Sequence, residues 1–280
     1  MSLPVSVIVI AQNEAHNIGY LLGTVVGRFD DIVVVDSFSS DGTDEICREF
    51  DGVRVFQNQF EDWAAQRNWA LENCEIKNDI VFFLDADEYL TPAFISELKS
   101  LIESDRRFDA ISVLPEFVFM GKTLSYAYGH PYIRRIFRKT GLRFVCEGAR
   151  ERAISGDTEL KMIAPFIHHD RKDISSWIAK HVKNAEREAA YYGRRVYPQA
   201  YSEPLKRRTW LRTSIWNRLP LLIRPFMYWG YRYLFRFGFL DAKAGWIYCF
   251  LHAFWYQFLI DVLIIERKLC SRKAGNDADS

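Results

Sequence analysis

The side chains best suited to chemistry in this 280-residue chain are carboxylates that follow short apolar runs. Asp85 and Asp87 come at the end of the run Ile80–Asp85 and are separated by one small residue. Two carboxylates in this arrangement can turn towards one divalent ion, and their hard oxygen atoms suit Mg²⁺ or Mn²⁺, with diphosphate oxygens and water as the remaining ligands. The alternative is that Asp87 and Glu88 only favour the N-terminus of the next helix. Acidic residues at the ends of two other runs favour the metal site.

Those other acidic residues follow the first and second apolar runs. Gln12-Asn13-Glu14 follows Val5–Ala11, and Asp36 ends the run Ile32–Asp36. Asp36 suits a hydrogen bond to a nucleobase imide or a ribose, although an aspartate here also opens a loop as an Asx turn. The loop after it is in turn suited to capping the next helix. We expect both roles, with the capping structural and Asp36 facing a ligand.

The first half of the chain alternates between strand and helix patterns. Four β-branched apolar runs predict strands covered on both faces: Val5–Ala11, Ile32–Asp36, Val53–Gln57 and Ile80–Asp85. Helical patterns lie between and after them: Ala15–Val26, Thr43–Phe50, Trp63–Asn73 and Pro92–Ile102. This alternation predicts an α/β domain with a mostly parallel sheet, in which ligands bind beyond the carboxyl ends of the strands. The carboxylates are therefore expected along one edge of that sheet.

The remainder of the chain changes in character twice. Short alternating segments from Ala110 to Ile167 predict extra strands and hairpins, and Ile174–Tyr192 predicts a helix. Pro198 and Pro204 mark a linker. We predict three regions: a catalytic α/β domain at 1–195, a basic and aromatic helical region at 196–270, and a disordered tail at 271–280.

Composition narrows the class of protein. Charged residues make up 26% and hydrophobic residues 49% of the chain, with a net charge of +1, which is ordinary for a globular protein with a core. The five cysteines are scattered, and no pair has the spacing of a zinc or redox site, so we expect free thiols in a reducing compartment. The first apolar run is too short for a secretory signal and has no basic leader. We expect the catalytic part in the cytoplasm.

Four ordered motifs together resemble a known family. Val5–Glu14, Ile32–Thr43, Gln66-Arg67-Asn68 and Phe83–Glu88 are similar to the corresponding segments of the family 2 glycosyltransferases with a GT-A fold. The closer resemblance is to the bacterial lipopolysaccharide-core glucosyltransferases and related enzymes of surface polysaccharide assembly. The resemblance implies an inverting reaction, in which an acceptor hydroxyl displaces the diphosphate from the anomeric carbon of a nucleotide-sugar. Such a reaction needs a donor site, a counter-charge for the diphosphate and a base.

The resemblance also implies roles for particular residues. The nucleoside site would be lined by Ala11, Asn13, Glu14 and Asp36. Arg67 would lie near the base or diphosphate, where many relatives carry Lys. Asp87 would be the principal metal ligand, and Asp85 would contact the ribose or the water shell of the metal.

The catalytic base is assigned by the same resemblance. Relatives carry Val-His-Glu where this chain has Ala149-Arg150-Glu151, so Glu151 is the candidate base. The structural alternative is a strand glutamate paired with Arg150 or Arg152. Arg150 departs from the pattern of the relatives, and Glu147 is the fallback base.

A histidine of the subgroup matches His168, which follows the apolar run Met162–Ile167. An imidazole here suits a nitrogen ligand for the metal or a donor to the leaving phosphate. A structural histidine explains the position equally well.

The tail combines basic and aromatic residues. Five of the eight tryptophans lie after Leu205, and no Asp or Glu occurs between Leu205 and Leu240. Such a pattern can bind single-stranded nucleic acid, but it fits an interfacial helix pair better, because aromatic rings prefer the headgroup level and arginines meet anionic lipid. Trp246–Ile265 has about the length of a membrane span, although Asp261 would be costly at the bilayer centre. We expect an in-plane or self-associating helix, with packing on the catalytic domain as the structural alternative.

These features predict a metal-dependent hexosyltransferase at the cytoplasmic face of the inner membrane. Its donor would be a nucleotide-sugar, with UDP favoured by resemblance, and its acceptor a lipid-linked saccharide of lipopolysaccharide or surface polysaccharide. We expect no nucleic acid partner. One alternative, a sugar nucleotidyltransferase, usually has a Gly-rich basic loop where this chain reads Ala11-Gln12-Asn13-Glu14. The other, a non-catalytic membrane-bound scaffold of the same fold, is disfavoured by the intact Asp85, Asp87 and Glu151.

Overall fold

A computed structural model describes residues 2–104, 106–147, 150–192 and 216–278. The chain forms two compact units. The sheet unit comprises Met1–Thr123 and His130–Lys172, and the helical unit comprises Leu124–Gly129 and Asp173–Ser280. The predicted linker at Pro198 and Pro204 lies outside the described residues, and the functional boundary at residue 195 stays a prediction.

Thirteen strands are present in the described residues, all in the sheet unit. They are β1 Leu3–Ala11, β2 Phe29–Asp36, β3 Val53–Gln57, β4 Ile80–Asp85, β5 Glu88–Tyr89, β6 Ala110–Val113, β7 Pro115–Phe119, β8 Lys122–Thr123, β9 Ile133–Arg138, β10 Arg143–Glu147, β11 Arg150–Ile154, β12 Glu159–Lys161 and β13 Phe166–His168. The sheet unit also contains α1 Ile18–Val25, α2 Thr43–Arg48, α3 Trp63–Asn73 and α4 Pro92–Glu103. The predicted bounds of β3, β4 and α3 are confirmed.

Seven strands form the central sheet in the order β12-β6-β9-β4-β1-β2-β3. β1 pairs in parallel with β2 and β4, and β2 pairs in parallel with β3. β9 is antiparallel to both of its neighbours, β4 and β6. The mostly parallel α/β sheet predicted from the alternating elements is therefore confirmed, with one strand of opposite direction inserted beside β4.

Both faces of this sheet are covered, as the continuous apolar runs require. On one face, Val7 and Val9 of β1 join a core that includes residues of α1 and α4. On the other face, Ile8 joins a second core with residues of α3 and Phe144. Because successive side chains of a strand point to opposite faces, one uninterrupted apolar run supplies both cores.

The helices begin where local capping allows. At α4, the Thr91 hydroxyl accepts a hydrogen bond from Phe94 N, and Pro92 occupies the first turn, as predicted. α1 starts at Ile18 rather than at Ala15, because residues 14–17 form a turn in which Asn17 N donates to Glu14 O. This turn leaves the Glu14 side chain beside the end of β1 instead of on a helix.

The helical unit is built on α5 Ile174–Ala190, α6 Arg224–Gly230, α7 Ala242–Tyr248 and α8 Tyr256–Ala278. α5 and α8 pack through two alanines and two isoleucines: Ala185, Ala189, Ile260 and Ile264. α8 runs through residues 271–278, where the composition predicted disorder. Good helix formers at Glu266-Arg267-Lys268-Leu269 allow the helix to propagate into that segment.

Asp261 of α8 is fully buried but is not isolated. Its carboxylate forms an ion pair with the buried Arg224 of α6 and accepts a 2.8 Å hydrogen bond from Leu222 N. Among the described residues, one helical stretch, Gly238–Cys270, is long and apolar enough to cross a membrane by length and composition. The sequence indicated that burying a charged Asp261 would be costly, and the ion pair with Arg224 offsets this cost.

Candidate active site

The carboxyl ends of β1, β2 and β4 meet at one edge of the sheet. Ala11 lies opposite Asp36 in the ladder of β1 and β2, and Ile10 lies opposite Asp85 in the ladder of β1 and β4. The parallel register therefore brings together the polar residues that follow all three strands.

Asp36 and Asn13 fix the two loops that follow β2 and β1. Asp36 is fully buried, and its carboxylate accepts hydrogen bonds from the amide of Ser39 at 2.9 Å and from the Ser39 hydroxyl at 2.5 Å. Asn13 has a positive φ of 55° and accepts a 2.9 Å hydrogen bond from Ser40 N. Asp36 therefore bonds three residues ahead, not two as in the expected Asx turn, and its bonds shape the loop around the end of β1.

The side-chain cap expected of the loop after Asp36 is not formed: Gly42 is the N-cap of α2 and makes no side-chain hydrogen bond, and an Asx turn precedes it at Asp41. The Asp41 carboxylate accepts hydrogen bonds from Thr43 N, at the first residue of α2, and from Ala15 N. The loops after β1 and β2 are thus tied to each other a second time.

Glu14 lies in a small polar cluster at the same edge. Its two oxygens accept hydrogen bonds from Lys172 Nζ at 2.6 Å and from Asn17 Nδ2 at 2.7 Å. Burial raises the pKa of the Glu14 carboxyl, and the negative charge of Asp87 adds to this effect. A Coulombic effect of Asp87 on Glu14 indicates that the polar residues after β1 and β4 share one electrostatic environment.

Two buried arginines hold the carboxylates at the end of β4. Arg67 Nη2 lies 2.9 Å from Asp85 Oδ1, and Arg135 Nη2 lies 2.5 Å from both Asp85 Oδ2 and Glu88 Oε1. Glu88 Oε2 also accepts a 2.9 Å hydrogen bond from Asp85 N. Burial acts to raise the pKa of Asp85, but the two guanidinium groups outweigh it and lower that pKa. Asp85 is therefore held ionised.

The pKa of Glu88 shifts in the direction opposite to that of Asp85, although both contact Arg135. Glu88 is fully buried, and this burial raises the pKa of its carboxyl despite the nearby Arg135. Through its bonds to Arg135 and to Asp85 N, Glu88 closes the turn that carries Asp87.

Asp87 faces His168. Strand β13 pairs with β5 so that His168 lies opposite Glu88, and His169 N donates a 2.9 Å hydrogen bond to Asp87 O. His168 Nε2 lies 3.4 Å from Asp87 Oδ2. Burial disfavours a charged His168, but the Asp87 carboxylate outweighs burial and raises the pKa of His168 to about 9. A carboxylate and an imidazole thus converge at one point.

This pair fits the chemistry of a divalent ion. No group of three or more His, Cys, Asp or Glu side chains in the described part of the chain is arranged to hold a metal by itself. Mg²⁺ commonly takes only one or two protein ligands and completes its octahedron with water and substrate phosphates. A cation at this position would take the place of the His168 proton, so Asp87 and a neutral His168 could hold a metal that binds together with a diphosphate.

Glu151 of β11 reaches the same arginine as Asp85. It forms an ion pair with Arg67 Nη1, and its side chain is 24% exposed. Its second oxygen, Oε2, is buried and has no hydrogen-bond partner. The side chains of the fallback base Glu147 and of Arg150 lie outside the described residues. Glu151 therefore combines a fixed position with an oxygen that can accept a proton.

Sequence reasoning missed Arg135. It lies on β9, and the antiparallel register that pairs Phe82 with Ile136 carries Arg135 towards the carboxyl end of β4. A pair of arginines, Arg134-Arg135, inside an otherwise apolar strand pattern is the sequence feature that marks it. Two buried arginine atoms of this cluster, Arg67 Nε and Arg135 Nε, have no hydrogen-bond partner.

The family described as Glycosyl transferase family 2 matches residues 6–155. This chain belongs to that family. The match covers β1–β4 and continues through β11, so it includes every candidate residue above except the segment that contains His168 and Lys172. The GT-A glycosyltransferase fold predicted from the sequence is confirmed.

Two curated relatives and one solved structure illustrate the family. The lipopolysaccharide core biosynthesis glycosyltransferase LpsC of Rhizobium meliloti is 34% identical over 104 residues, which are 36% of this chain and 37% of that protein. An uncharacterized glycosyltransferase of Rickettsia felis is 30% identical over 100 residues, 36% of this chain and 34% of that protein. The matches thus span about a third of the length of these relatives.

The mannosyltransferase PcManGT from Pyrobaculum calidifontis, solved in complex with GDP-Man and Mn²⁺, has a similar fold. The similarity covers 91% of this chain and 88% of that chain, with a TM-score of 0.53 and 16% identity. At this identity the similarity concerns the fold.

Proposed function

We propose that this family 2 member transfers a hexose, with inversion, from a nucleoside diphosphate sugar to a lipid-linked saccharide in lipopolysaccharide or surface polysaccharide synthesis. The observation that carries the proposal is the facing pair Asp87 and His168, next to an ionised Asp85 held by two arginines. Together they offer two ligands for a cation, which would supply the positive charge that a departing diphosphate requires. The name of LpsC supports lipopolysaccharide synthesis as the setting.

The donor would bind along the edge formed by β1, β2 and β4. Ala11, Asn13, Glu14 and Asp36 would line the nucleoside site, because the bonds from Asp36 to Ser39 hold the loops there. Asp85 would contact the ribose, and Arg67 would lie beside the diphosphate. UDP is favoured by resemblance, whereas PcManGT was solved with GDP-Man, so both bases need to be tested.

Asp87 and His168 would hold a Mg²⁺ or Mn²⁺ ion. When bound, this ion supplies positive charge to the leaving diphosphate. Glu88 and Arg135 would keep Asp87 in place through the closed turn after β4.

Glu151 would act as the base. Its buried Oε2 would take the proton of the acceptor hydroxyl while the oxygen of that hydroxyl forms a bond to the anomeric carbon. At the same time the bond from the anomeric carbon to the diphosphate oxygen breaks, and attack from the opposite side inverts the configuration. The ion pair with Arg67 would hold the Glu151 side chain in position between acceptor and donor.

The helical unit would place this chemistry at the cytoplasmic face of the inner membrane. Its apolar stretch Gly238–Cys270 and the acid-free segment Leu205–Leu240 support contact with a membrane surface, where a lipid-linked acceptor resides. Self-association through the helices is compatible with this placement. We propose no nucleic acid partner.

Calorimetric titration with UDP and with GDP, each with and without Mn²⁺, tests the donor and metal sites. We expect one nucleotide to bind, with affinity that depends on the metal, and Asp87→Ala to weaken this binding on the order of a hundredfold, because it removes a charged metal ligand. Asp51→Ala, in an exposed turn, is the matched control and should bind as the unmodified chain does. Absence of binding of either nucleotide under every metal condition would contradict the donor site.

A further inference from the structure

Exposed apolar side chains concentrate on a helical hairpin of the helical unit, residues 223–250. In this hairpin α6 continues through a π-helical turn, Tyr231–Phe235, reverses over the short helix Gly238–Asp241 and returns as α7. Its exposed apolar residues include Phe226, Met227, Leu234, Phe235, Leu240 and Trp246. Single exposed apolar residues are ordinary on a protein surface, whereas a concentration in one supersecondary element indicates an interaction surface.

Specific hydrogen bonds and a close backbone contact fix the conformation of the hairpin. The Asp241 carboxylate at its turn accepts three backbone hydrogen bonds, from Ser125, Tyr126 and Ala127, at 2.7–3.0 Å. A Cβ atom on Gly245 would lie 2.2 Å from Gly238 O, so only glycine allows α7 to approach the turn helix Gly238–Asp241 this closely. The apolar residues at the turn are therefore presented by a fixed backbone.

The long helix α8, which follows the hairpin, packs an apolar face against another helix instead of exposing it. Ile260 and Ile264 of α8 are buried against α5, and Asp261 is paired with Arg224. If α8 crossed a bilayer, this ion pair and the contacts with α5 would have to enter the hydrocarbon with it or be lost. The stretch Gly238–Cys270 therefore has the length of a span, but one face of α8 is occupied by its packing on α5.

Charge around the hairpin identifies its partner. Arg218 and Lys243 are exposed and Arg236 is half-buried, whereas the one acidic residue between 216 and 250, Asp241, is buried. An apolar face with a positive rim and no exposed negative charge matches an anionic lipid surface, in which apolar side chains enter the acyl boundary and basic ones meet phosphates.

We infer that the hairpin 223–250 is the element that inserts into an anionic membrane surface, and that α8 remains packed on α5 and does not span the bilayer. The inference rests on the membrane association proposed above and adds which surface makes the contact and what lipid charge it needs. The hairpin lies in the plane of the interface, with Leu234 and Phe235 among the inserted side chains.

Flotation of the full chain with vesicles tests the inference. The vesicles contain phosphatidylcholine alone or phosphatidylcholine with phosphatidylglycerol. Leu234→Ser/Phe235→Ser removes two exposed apolar residues of the hairpin, and Val262→Ser/Leu269→Ser removes two exposed apolar residues of α8 as a matched control. We expect the hairpin variant to bind phosphatidylglycerol vesicles on the order of tenfold more weakly and the α8 variant to bind within about twofold of the unmodified chain.

A charge variant, Arg236→Ser/Lys243→Ser, leaves the apolar residues intact. It should lose most of the preference for phosphatidylglycerol while weak binding to phosphatidylcholine persists. Binding of UDP or GDP, measured on the same variants, shows that each keeps its donor site, and an unchanged far-ultraviolet circular dichroism spectrum shows that the helical unit is folded.

The outcomes separate the two proposals. If the unmodified chain binds nucleotide but no vesicle, membrane association fails as a whole and the inference fails with it. If the α8 variant loses binding and the hairpin variant keeps it, only the inference is overturned. It is likewise overturned if sedimentation shows that the hairpin variant dissociates an oligomer without a change in vesicle binding, because a second copy of the chain then covers this face.

Discussion

The amino and carboxyl ends of the central sheet both place an aspartate beside an arginine. The buried Asp31 at the amino end has a donor for every oxygen, whereas the cluster around Asp85 at the carboxyl end leaves polar atoms without partners. At the amino end, Asp31 accepts hydrogen bonds from Ser6 Oγ at 2.6 Å, from Lys77 N at 3.1 Å and from two nitrogens of Arg54. Each oxygen of this carboxylate has two donors. The amino end is thus a closed network, the form in which a buried polar group contributes to stability.

At the carboxyl end, the cluster of Asp85, Glu88, Arg67, Arg135 and Glu151 contains more charges and leaves more atoms unused. Three of its buried polar atoms have no hydrogen-bond partner: Arg67 Nε, Arg135 Nε and Glu151 Oε2. Native proteins bury few such atoms, and those that they do bury commonly lie where a ligand or reacting group is bound. We therefore expect the same residue types at the two ends of one sheet to serve stability at one end and chemistry at the other.

The largest expected effect is a loss of transfer activity in a variant that keeps its fold. Glu151→Gln keeps an oxygen that can accept a hydrogen bond from Arg67 but removes the base, so we expect kcat for transfer to fall on the order of 10²–10⁴-fold with nucleotide affinity unchanged. Glu159→Gln is the matched control, because Glu159 also pairs with an arginine and its side chain is 26% exposed. A single-turnover assay measures the rate, and equal losses in both variants would remove the catalytic role from Glu151.

The second prediction concerns Arg135, which we expect to contribute both to stability and to the candidate site. Arg135→Met leaves Asp85 and Glu88 without a shared partner in a buried site, and we expect a loss of about 3–5 kcal/mol in the free energy of unfolding. Urea denaturation measures it. Arg134→Met, whose partner Glu159 is partly exposed, should lose about 1 kcal/mol or less.

A double variant separates charge from packing at this position. Asp85 keeps its ion pair with Arg67 in Arg135→Met, whereas Glu88 loses its arginine. Glu88→Gln added to Arg135→Met removes that unpaired carboxylate, so it should recover part of the lost stability. No recovery would mean that Arg135 acts through packing alone.

The smallest expected effect is at the amino end. Asp31→Asn weakens the bonds to Arg54 and Ser6, and we expect a loss of about 1.5–3 kcal/mol in stability with unchanged nucleotide binding. Asp30→Asn, at the neighbouring exposed position, should change stability little. Weaker nucleotide binding in the folded Asp31→Asn protein would contradict the separation of the two ends.

The pH dependence of this variant has a definite sign. Burial acts to raise the pKa of Asp31, but its bonds to Ser6 and Arg54 outweigh burial and lower that pKa below its unfolded value of about 3.9. The contribution to stability is therefore fully present above about pH 4 and is lost as the pH falls through the lower, folded pKa. Thermal melts at pH 7 and pH 3 should differ less for Asp31→Asn than for the unmodified chain.

Much of the sheet could be predicted from the sequence because its strands are buried on both faces. β4 matches its predicted bounds because it is a continuous apolar run ended by a polar residue. β3 also matches its bounds, although Arg54 interrupts its apolar run and its residues are only partly buried. The position of Asp36 and Asp85 at one edge then follows from the parallel direction of the strands.

The arginine cluster could not be predicted in the same way. Arg135 reaches Asp85 across 50 residues of chain, and only because β9 enters the sheet between β4 and β6 in the opposite direction. Likewise, the pairing of Asp261 with Arg224 depends on how α6 and α8 pack, which residue spacing does not define. The periodicity of apolar residues predicts single helices and strands. The contacts of Arg135 with Asp85 and of Arg224 with Asp261 depend instead on how separate elements pack against each other.

The insertion of β9 has a consequence for how the chain is made. During synthesis the order β3-β2-β1-β4 can form early, because all its strands precede residue 86. β4 then remains an unprotected edge with the apolar run Ile80–Leu84 until Ile133–Arg138 has been added, roughly 50 residues later. At about 5–20 residues per second this exposure lasts for seconds, during which an unpaired apolar edge can recruit another nascent chain. The strand that brings Arg135 to the site is thus also the strand that ends the period of greatest aggregation risk.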